Sequence, residues 1–227
     1  MVPRRFCIEF DQKAKCLKHF NLIVTSQIFV ICEVFLFIYI MKKFLKKNWS
    51  NILFGTMVVL LIIPQTRMPI QVFVQRLISF SPSETSQEKR EILQDYQWPL
   101  TELSTGEINF SQSQGKVTVV NFWATWCPPC VAEMPSFQKL YNDYGSKVDF
   151  YFVTSEEPEK VQSFLDKNDY SLPTYLQSYE APQQMQSRAL PTTYVLSKEG
   201  DIIINETGTA NWNSDKMRKL LDRLLAQ

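Results

Sequence analysis

Histidine is almost absent. The 227-residue chain has a single one, His19. That excludes imidazole acid–base chemistry and any His/Cys metal site from the C-terminal half. Cysteine is sparse as well. Cys7, Cys16, Cys32, Cys127 and Cys130 are an odd, dilute set, unlike the dense even framework of a small disulfide-stapled scaffold. Cys16 and His19 have a spacing seen in metal sites, but the other ligands are missing. A large excess of charge is also lacking, since the formal net charge is +1. No basic surface is there to bind nucleic acid, and there are no internal repeats or low-complexity tracts.

The charge that is present is unevenly placed. From Met41 to Tyr96 eight basic residues face four acidic ones, and from Gln97 to the end eleven face sixteen. A basic, apolar part followed by an acidic, mixed part reads as a membrane anchor and a soluble domain.

Two apolar runs compete for the anchor. Leu22–Ile40 is long enough to span but contains Glu33. Trp49–Thr66 is led by the basic stretch KKFLKKN and approaches the ~20 residues that a spanning helix needs. Lys42, Lys43, Lys46 and Lys47 hold its start on the cytoplasmic side and send the C-terminal domain out. If the first run also spanned, Arg4, Arg5, Lys13, Lys15 and Lys18 would lie outside, against the same rule. A start at Met41 removes the conflict, because residues 41–63 then form a basic n-region and an apolar h-region. We therefore expect residues 1–40 to be an over-extended gene start. Pro64-Gln65-Thr66 is no cleavage site, so the anchor is expected to stay. The expected organisation is an extension at 1–40, a basic flank and single-pass anchor at 41–66, an interfacial segment and polar tether at 67–96, and a domain at 97–227. In the third of these, MPIQVFVQRLISF reads as an interfacial helix and Glu84–Asp95 as a short helix in the tether.

The domain alternates strand and helix patterns. Lys116–Trp123 reads as a buried central strand. Val131, Met134, Phe137, Leu140 and Tyr141 then share a helix face that Gly145 ends. Lys147–Ser155 is a strand, Pro158–Asn168 a helix opened by proline, and Leu190–Ser197 a strand that turns into DIIINET. The last helix is capped by Ser214. A hairpin, PLTEL and EINF, precedes all of these. The order predicts an α/β fold, a mixed sheet flanked by helices.

Cys127-Pro128-Pro129-Cys130 falls where the buried strand gives way to a helix. At a helix start, a sulfur meets free backbone N–H groups and the positive end of the helix dipole, and both favour the thiolate. Cys130, one turn in, is more buried. This asymmetry suits one cysteine that attacks and one that resolves. Pro128 and Pro129 fit the first turn, where an N–H has no partner to lose. Alternatives exist. Zinc needs about four ligands and the domain offers two cysteines. A copper carrier could use both thiolates with Met134. A structural disulfide this short closes almost no loop. CxxC at a strand–helix junction is a redox pattern.

NFWATWCPPC, with ALPTTYVL downstream, resembles the thioredoxin superfamily. It is most similar to the membrane-anchored TlpA/ResA-type thiol–disulfide oxidoreductases, over about Gln97–Gln227. The resemblance implies a thioredoxin-like fold, with Pro191 as a cis-proline facing a redox-active Cys127–Cys130 disulfide and no other cofactor or metal. Leu190 and Thr192 would offer backbone hydrogen bonds to an extended substrate, Trp126 would cover the sulfurs, and Trp123 would pack beneath. Thioredoxins carry a buried aspartate six residues before the first cysteine, where this chain has Asn121. Glu133, at a position where TlpA/ResA-like proteins resemble this chain, is the candidate substitute as proton acceptor for Cys130; the alternative is a solvated helix glutamate. The resemblance also implies a reductase of extracytoplasmic protein disulfides, of the kind serving cytochrome c or copper-site maturation. Such a protein would sit in the inner membrane with its domain in the periplasm, recharged by a membrane electron donor. Trp212, in Gly208-Thr-Ala-Asn-Trp212, is left between core and site. The alternative is a copper chaperone using the same CxxC.

Overall fold

The computed structural model describes residues 42–43, 46–60 and 62–227. The reading of residues 1–40, with Cys16, His19, Cys32 and the run Leu22–Ile40, lies outside these residues, as does the start at Met41. The chain divides into two compact units, Met1–Ile62 and Ile63–Gln227.

In the first unit, residues 46–60 and 62 are helical, and Trp49, Leu53, Phe54 and Met57 are exposed. No helix among the described residues is long and apolar enough to cross a membrane. The helical run breaks at Ile63 and a new helix opens at Pro64. Proline suits a first helical position because it has no N–H to bond backwards. The segment expected as one anchor over 41–66 is thus divided between the two units.

The second unit begins with α1, Pro64–Leu77, which packs on α2, Pro128–Tyr144. The polar stretch after α1, expected as a tether with a helix at Glu84–Asp95, is neither. Its only helical part is a 3-10 turn at Gln87–Lys89. The rest lies along the last strand and its turn: Thr85 N–H donates to Ile203 O at 2.8 Å, Ile202 N–H to Glu91 O at 2.9 Å, and Leu93 N–H to Gly200 O at 2.9 Å. An edge strand presents unpaired backbone groups, and this segment satisfies them. Leu93 and Trp98 are buried as it does so.

The strands are β1 Pro99–Glu102, β2 Gly106–Asn109, β3 Thr118–Phe122, β4 Asp149–Thr154, β5 Thr174–Leu176, β6 Thr192–Leu196 and β7 Ile202–Thr207. The remaining helices are α3 Pro158–Asn168 and α4 Asp215–Ala226. The seven strands form one mixed sheet in the order β2-β1-β5-β4-β3-β6-β7. β3, β4 and β5 are parallel, linked through α2 and α3; β6 and β7 return antiparallel. β5 was not expected, because three residues are too few for a period to register.

Alternation along the strands splits the core by sheet face. Val119, Phe150, Phe152 and Val195 pack with Phe137 of α2, Val161 of α3 and Leu221 of α4. Val120, Tyr151 and Tyr194 pack with Trp98, Phe110 and Met185. In β3 all five residues are buried, as a central strand requires. It delivers the chain to the site.

Candidate redox centre

β3 ends at Phe122, and five residues later Cys127 caps α2. Cys127 has extended backbone angles, and its Sγ accepts from Cys130 N–H at 3.4 Å. A sulfur therefore takes the role of an N-cap oxygen. Cys127 and Cys130 are joined as a disulfide, with Cα atoms 5.3 Å apart. Cys127 keeps 4% of its surface and Cys130 none. Pro128 and Pro129, half-buried, fill the first turn between them.

The loop before Cys127 is held from the β4–α3 junction. The Glu156 carboxylate accepts from both the N–H and the hydroxyl of Thr125 and pairs with Lys160. Burial works against the charge, but these donors outweigh it and hold the Glu156 carboxyl below its usual range. Trp126, next along, is 61% exposed, whereas Trp123 is buried and lies 5.5 Å from the Phe164 ring.

Sheet register brings the second loop to the same end. Phe122 pairs with Thr192, so the Leu190–Pro191 peptide, which is cis, arrives at the strand end that leads to Cys127. Of the three residues expected to meet substrate there, Leu190 is partly open, while Pro191 and Thr192 are buried. The Thr192 hydroxyl donates to Ala189 O at 2.9 Å and lies 2.7 Å from Ser187 Oγ. Thr192 thus shapes the loop that presents Leu190.

Glu133 lies on α2 one turn beyond Cys130 and is fully buried. An i, i+3 pair on a helix has Cβ atoms roughly 5–6 Å apart. Three donors surround the carboxyl: Asn121 Nδ2 to Oε1 at 2.9 Å, Trp212 Nε1 to Oε2 at 2.9 Å, and Ala210 N–H to Oε2 at 3.3 Å. Burial pushes the carboxyl up to about 8, and the three donors oppose that rise without cancelling it. A group ionising near neutrality beside a buried thiol can accept or return a proton. Asn121 Nδ2 also donates to Thr193 Oγ1 at 2.8 Å, linking Glu133 to the strand after the cis-proline.

Trp212 is the residue that periodicity could not assign. It stacks on Phe137 at 5.0 Å and bonds Glu133 across 79 positions of sequence. Glu156 was missed too, since nothing local marks its reach to Thr125. Met134, considered as a copper ligand, is fully buried in the core.

A family model described as Redoxin matches residues 85–221. Thioredoxin-like protein YneN of Bacillus subtilis is 32% identical over 127 residues, 54% of this chain and 74% of that one. Thiol-disulfide oxidoreductase ResA of Halalkalibacterium halodurans is 36% identical over 112 residues, 48% of this chain and 64% of its own length. Sporulation thiol-disulfide oxidoreductase A of Bacillus subtilis is 32% identical over 96 residues, 40% and 58% of the two chains. The chain thus spans less than two thirds of the latter two. Among solved structures, a DsbF homologue from Corynebacterium diphtheriae superposes with a TM-score of 0.51 at 18% identity, over 63% of this chain and 92% of that one. At that identity the likeness speaks for the thioredoxin-like fold alone.

Proposed function

We propose that this chain, which belongs to the redoxin family, is a thiol–disulfide oxidoreductase that works through Cys127 and Cys130. The observation that carries the reading is the asymmetry of the pair. Cys127 caps a helix and keeps a sliver of surface, while Cys130 is sealed beneath it beside a buried carboxyl.

In the reducing direction, the Cys127 thiolate attacks one sulfur of a substrate disulfide. A mixed disulfide forms and one substrate thiolate leaves. Cys130 then gives its proton to ionised Glu133 and attacks Cys127 Sγ, expelling the second substrate thiolate. The substrate gains two electrons and the pair becomes a disulfide. Recharging runs the other way. A donor dithiol opens the Cys127–Cys130 bond, and Glu133, mostly protonated at neutral pH, returns a proton to the Cys130 thiolate. Trp126 and Leu190, both exposed, would hold the substrate chain against half-buried Pro128 and Pro129 and the main chain at Pro191.

We further infer that the substrates are extracytoplasmic proteins. The basic flank and apolar residues of 41–66 would tether the domain to the inner membrane on its periplasmic side, within reach of a membrane electron donor of the thiol-transfer type. Maturation of cytochrome c or of copper sites is the process that best suits such a reductase. The alternative is a copper carrier using the same CxxC, with Met134, which is buried in the same core cluster as Cys127 and Cys130, as the further ligand.

The test is reduction of insulin by the purified chain with a chemical dithiol as electron source. Wild type should accelerate it. Cys130→Ser should accumulate a mixed disulfide with substrate, and Cys127→Ser should accumulate none. Stoichiometric Cu(I) binding without reductase activity would overturn the assignment. Thiol trapping in cells then gives the direction: a mainly reduced pair supports a reductase, and a mainly oxidised pair rejects one.

A further inference from the structure

α1 is packed on one side and bare on the other. Val72 is buried against the domain, and Gln75 and Ser79 are half-buried. At about 100° per residue, Ile70, Phe73, Val74 and Leu77 fall on the opposite side, Ile70 half-buried and the other three exposed. Phe73 is 63% exposed, Leu77 is 70% exposed, and Phe80 just beyond is 81% exposed. Arg67 and Arg76 flank this apolar stripe, one on each side. α1 contains no acidic residue.

The basic character continues off the helix. A cleft of about 310 Å³ between α1 and α2 is lined by Arg76 and Lys139 with Ser79, Ser136, Asn211 and Asn213, and by no acidic side chain. This stands out on a domain with sixteen acidic residues against eleven basic ones. An apolar stripe flanked by arginines is the pattern of a helix lying in a membrane interface, with its cations on headgroup phosphates. The chain supplies continuity, because α1 directly follows a helical run, 46–60 and 62, whose apolar side chains such as Trp49, Phe54, Met57 and Ile62 are exposed.

We propose that the exposed face of α1 docks on the surface of an anionic bilayer. Phe73, Val74 and Leu77 enter the headgroup boundary, Arg67 and Arg76 meet lipid phosphates, and the Arg76–Lys139 cleft accepts a headgroup. α1 is joined to the redox centre. Arg76 Nε donates to Ala132 O on α2 at 3.3 Å, and the Thr209 hydroxyl lies between Gln75 Oε1 and Pro129 O, at 3.3 and 3.4 Å. Docking therefore fixes the height of the Cys127–Cys130 pair above the lipid. The proposal stands apart from the thiol chemistry and from the anchor reading.

The test uses the full chain in nanodiscs of phosphatidylcholine, with and without phosphatidylglycerol. A benzophenone amino acid replaces Phe73, Leu77 or, as a control beside the opposite sheet face, Tyr179. Mass spectrometry then scores lipid adducts. The expected result is adducts from 73 and 77 but not 179, stronger with phosphatidylglycerol, and weakened about fivefold by each of Arg67→Gln and Arg76→Gln. Adduct yields no higher than at 179, yields indifferent to phosphatidylglycerol, or crosslinks to a second copy would each overturn it. Carbonate extraction separates the anchor. A chain that is extracted yet forms adducts docks without spanning, and a chain that resists extraction without adducts spans without docking.

Discussion

Asn121 Nδ2 donates to Glu133 Oε1 at 2.9 Å, while Asn121 Oδ1 is buried with no partner among the described residues. The amide thus holds one spare acceptor beside a carboxyl that burial pushes up to about 8. If Glu133 is protonated on Oε1, an amide flip would turn Oδ1 toward that proton, and the Thr193 hydroxyl could donate to Oδ1 in turn. Asn121 can follow the protonation state where an aliphatic residue could not.

Glu133→Gln should leave the fold intact, because the same flip lets Oδ1 accept from the new amide. Its signature lies in the pH dependence. The folded carboxyl titrates at about 8 against an ordinary value of 4.5. The native state therefore holds a proton that the unfolded chain has released between those values. Its contribution to stability is full below pH 4.5 and is lost as pH rises to about 8, at up to roughly 1.4 kcal/mol per pH unit. Urea denaturation across that window should show wild type weakening with rising pH and the variant nearly flat. Thiol–disulfide exchange should slow in the variant and lose its dependence on pH near 8.

Trp212→Phe removes one of the three donors to Glu133 and keeps most of the stack on Phe137. The carboxylate loses more than the neutral acid does, so the Glu133 titration should move further up. Exchange followed against pH should shift the same way. The stability loss should be about 1 kcal/mol where Glu133 is protonated and roughly 1.5–3 where it is ionised. A loss independent of pH would mean that only packing was disturbed.

Asn121→Asp sets a second carboxyl beside the first. Two carboxyls this close cannot both ionise at ordinary pH, and one titration is driven strongly upward. The exchange rate should acquire two titration steps in place of one. Direct observation of carboxyl titration by NMR would check this without reference to activity.

Glu156→Ala releases the N–H and hydroxyl of Thr125 two residues before Cys127. Stability should fall by about 1–3 kcal/mol at neutral pH, and exchange should slow as the loop loses its anchor. Here the sign is opposite to that of Glu133. The folded carboxyl is held below 4.5, so its contribution is present above that value and lost as pH falls below it. Wild type and variant should converge in acid denaturation.

Local patterns carried much of the architecture. Pro158–Asn168 was readable to its ends because a proline opens it and Val161, Phe164 and Leu165 share a face. The CPPC turn announced itself through a buried strand meeting two prolines. The bond from Trp212 to Glu133 was not readable, since packing and not periodicity brings distant positions together. The run 81–96 looked like a tether because its pairing is with the main chain of β7, which leaves no trace in side-chain pattern. Three-residue β5 is too short to alternate. The burial of Thr192 follows from β6 lying between two neighbours, which a strand's own residues do not reveal.

The register of Phe122 on Thr192 makes the sheet a ruler for the site. A slip of one residue between β3 and β6 would displace Pro191 by about 3.4 Å and turn every side chain of the strand to the wrong face. Both faces are packed, so neither strand can tolerate such a slip. The stretch between β5 and β6 is held at Ala181 and Met185, which are buried in the core, and at Ser187, which bonds Thr192. Its exposed side chains, such as Ser178, Tyr179, Glu180 and Arg188, carry no such constraint. Variation can therefore accumulate at those positions while Pro191 and Cys127 keep their places.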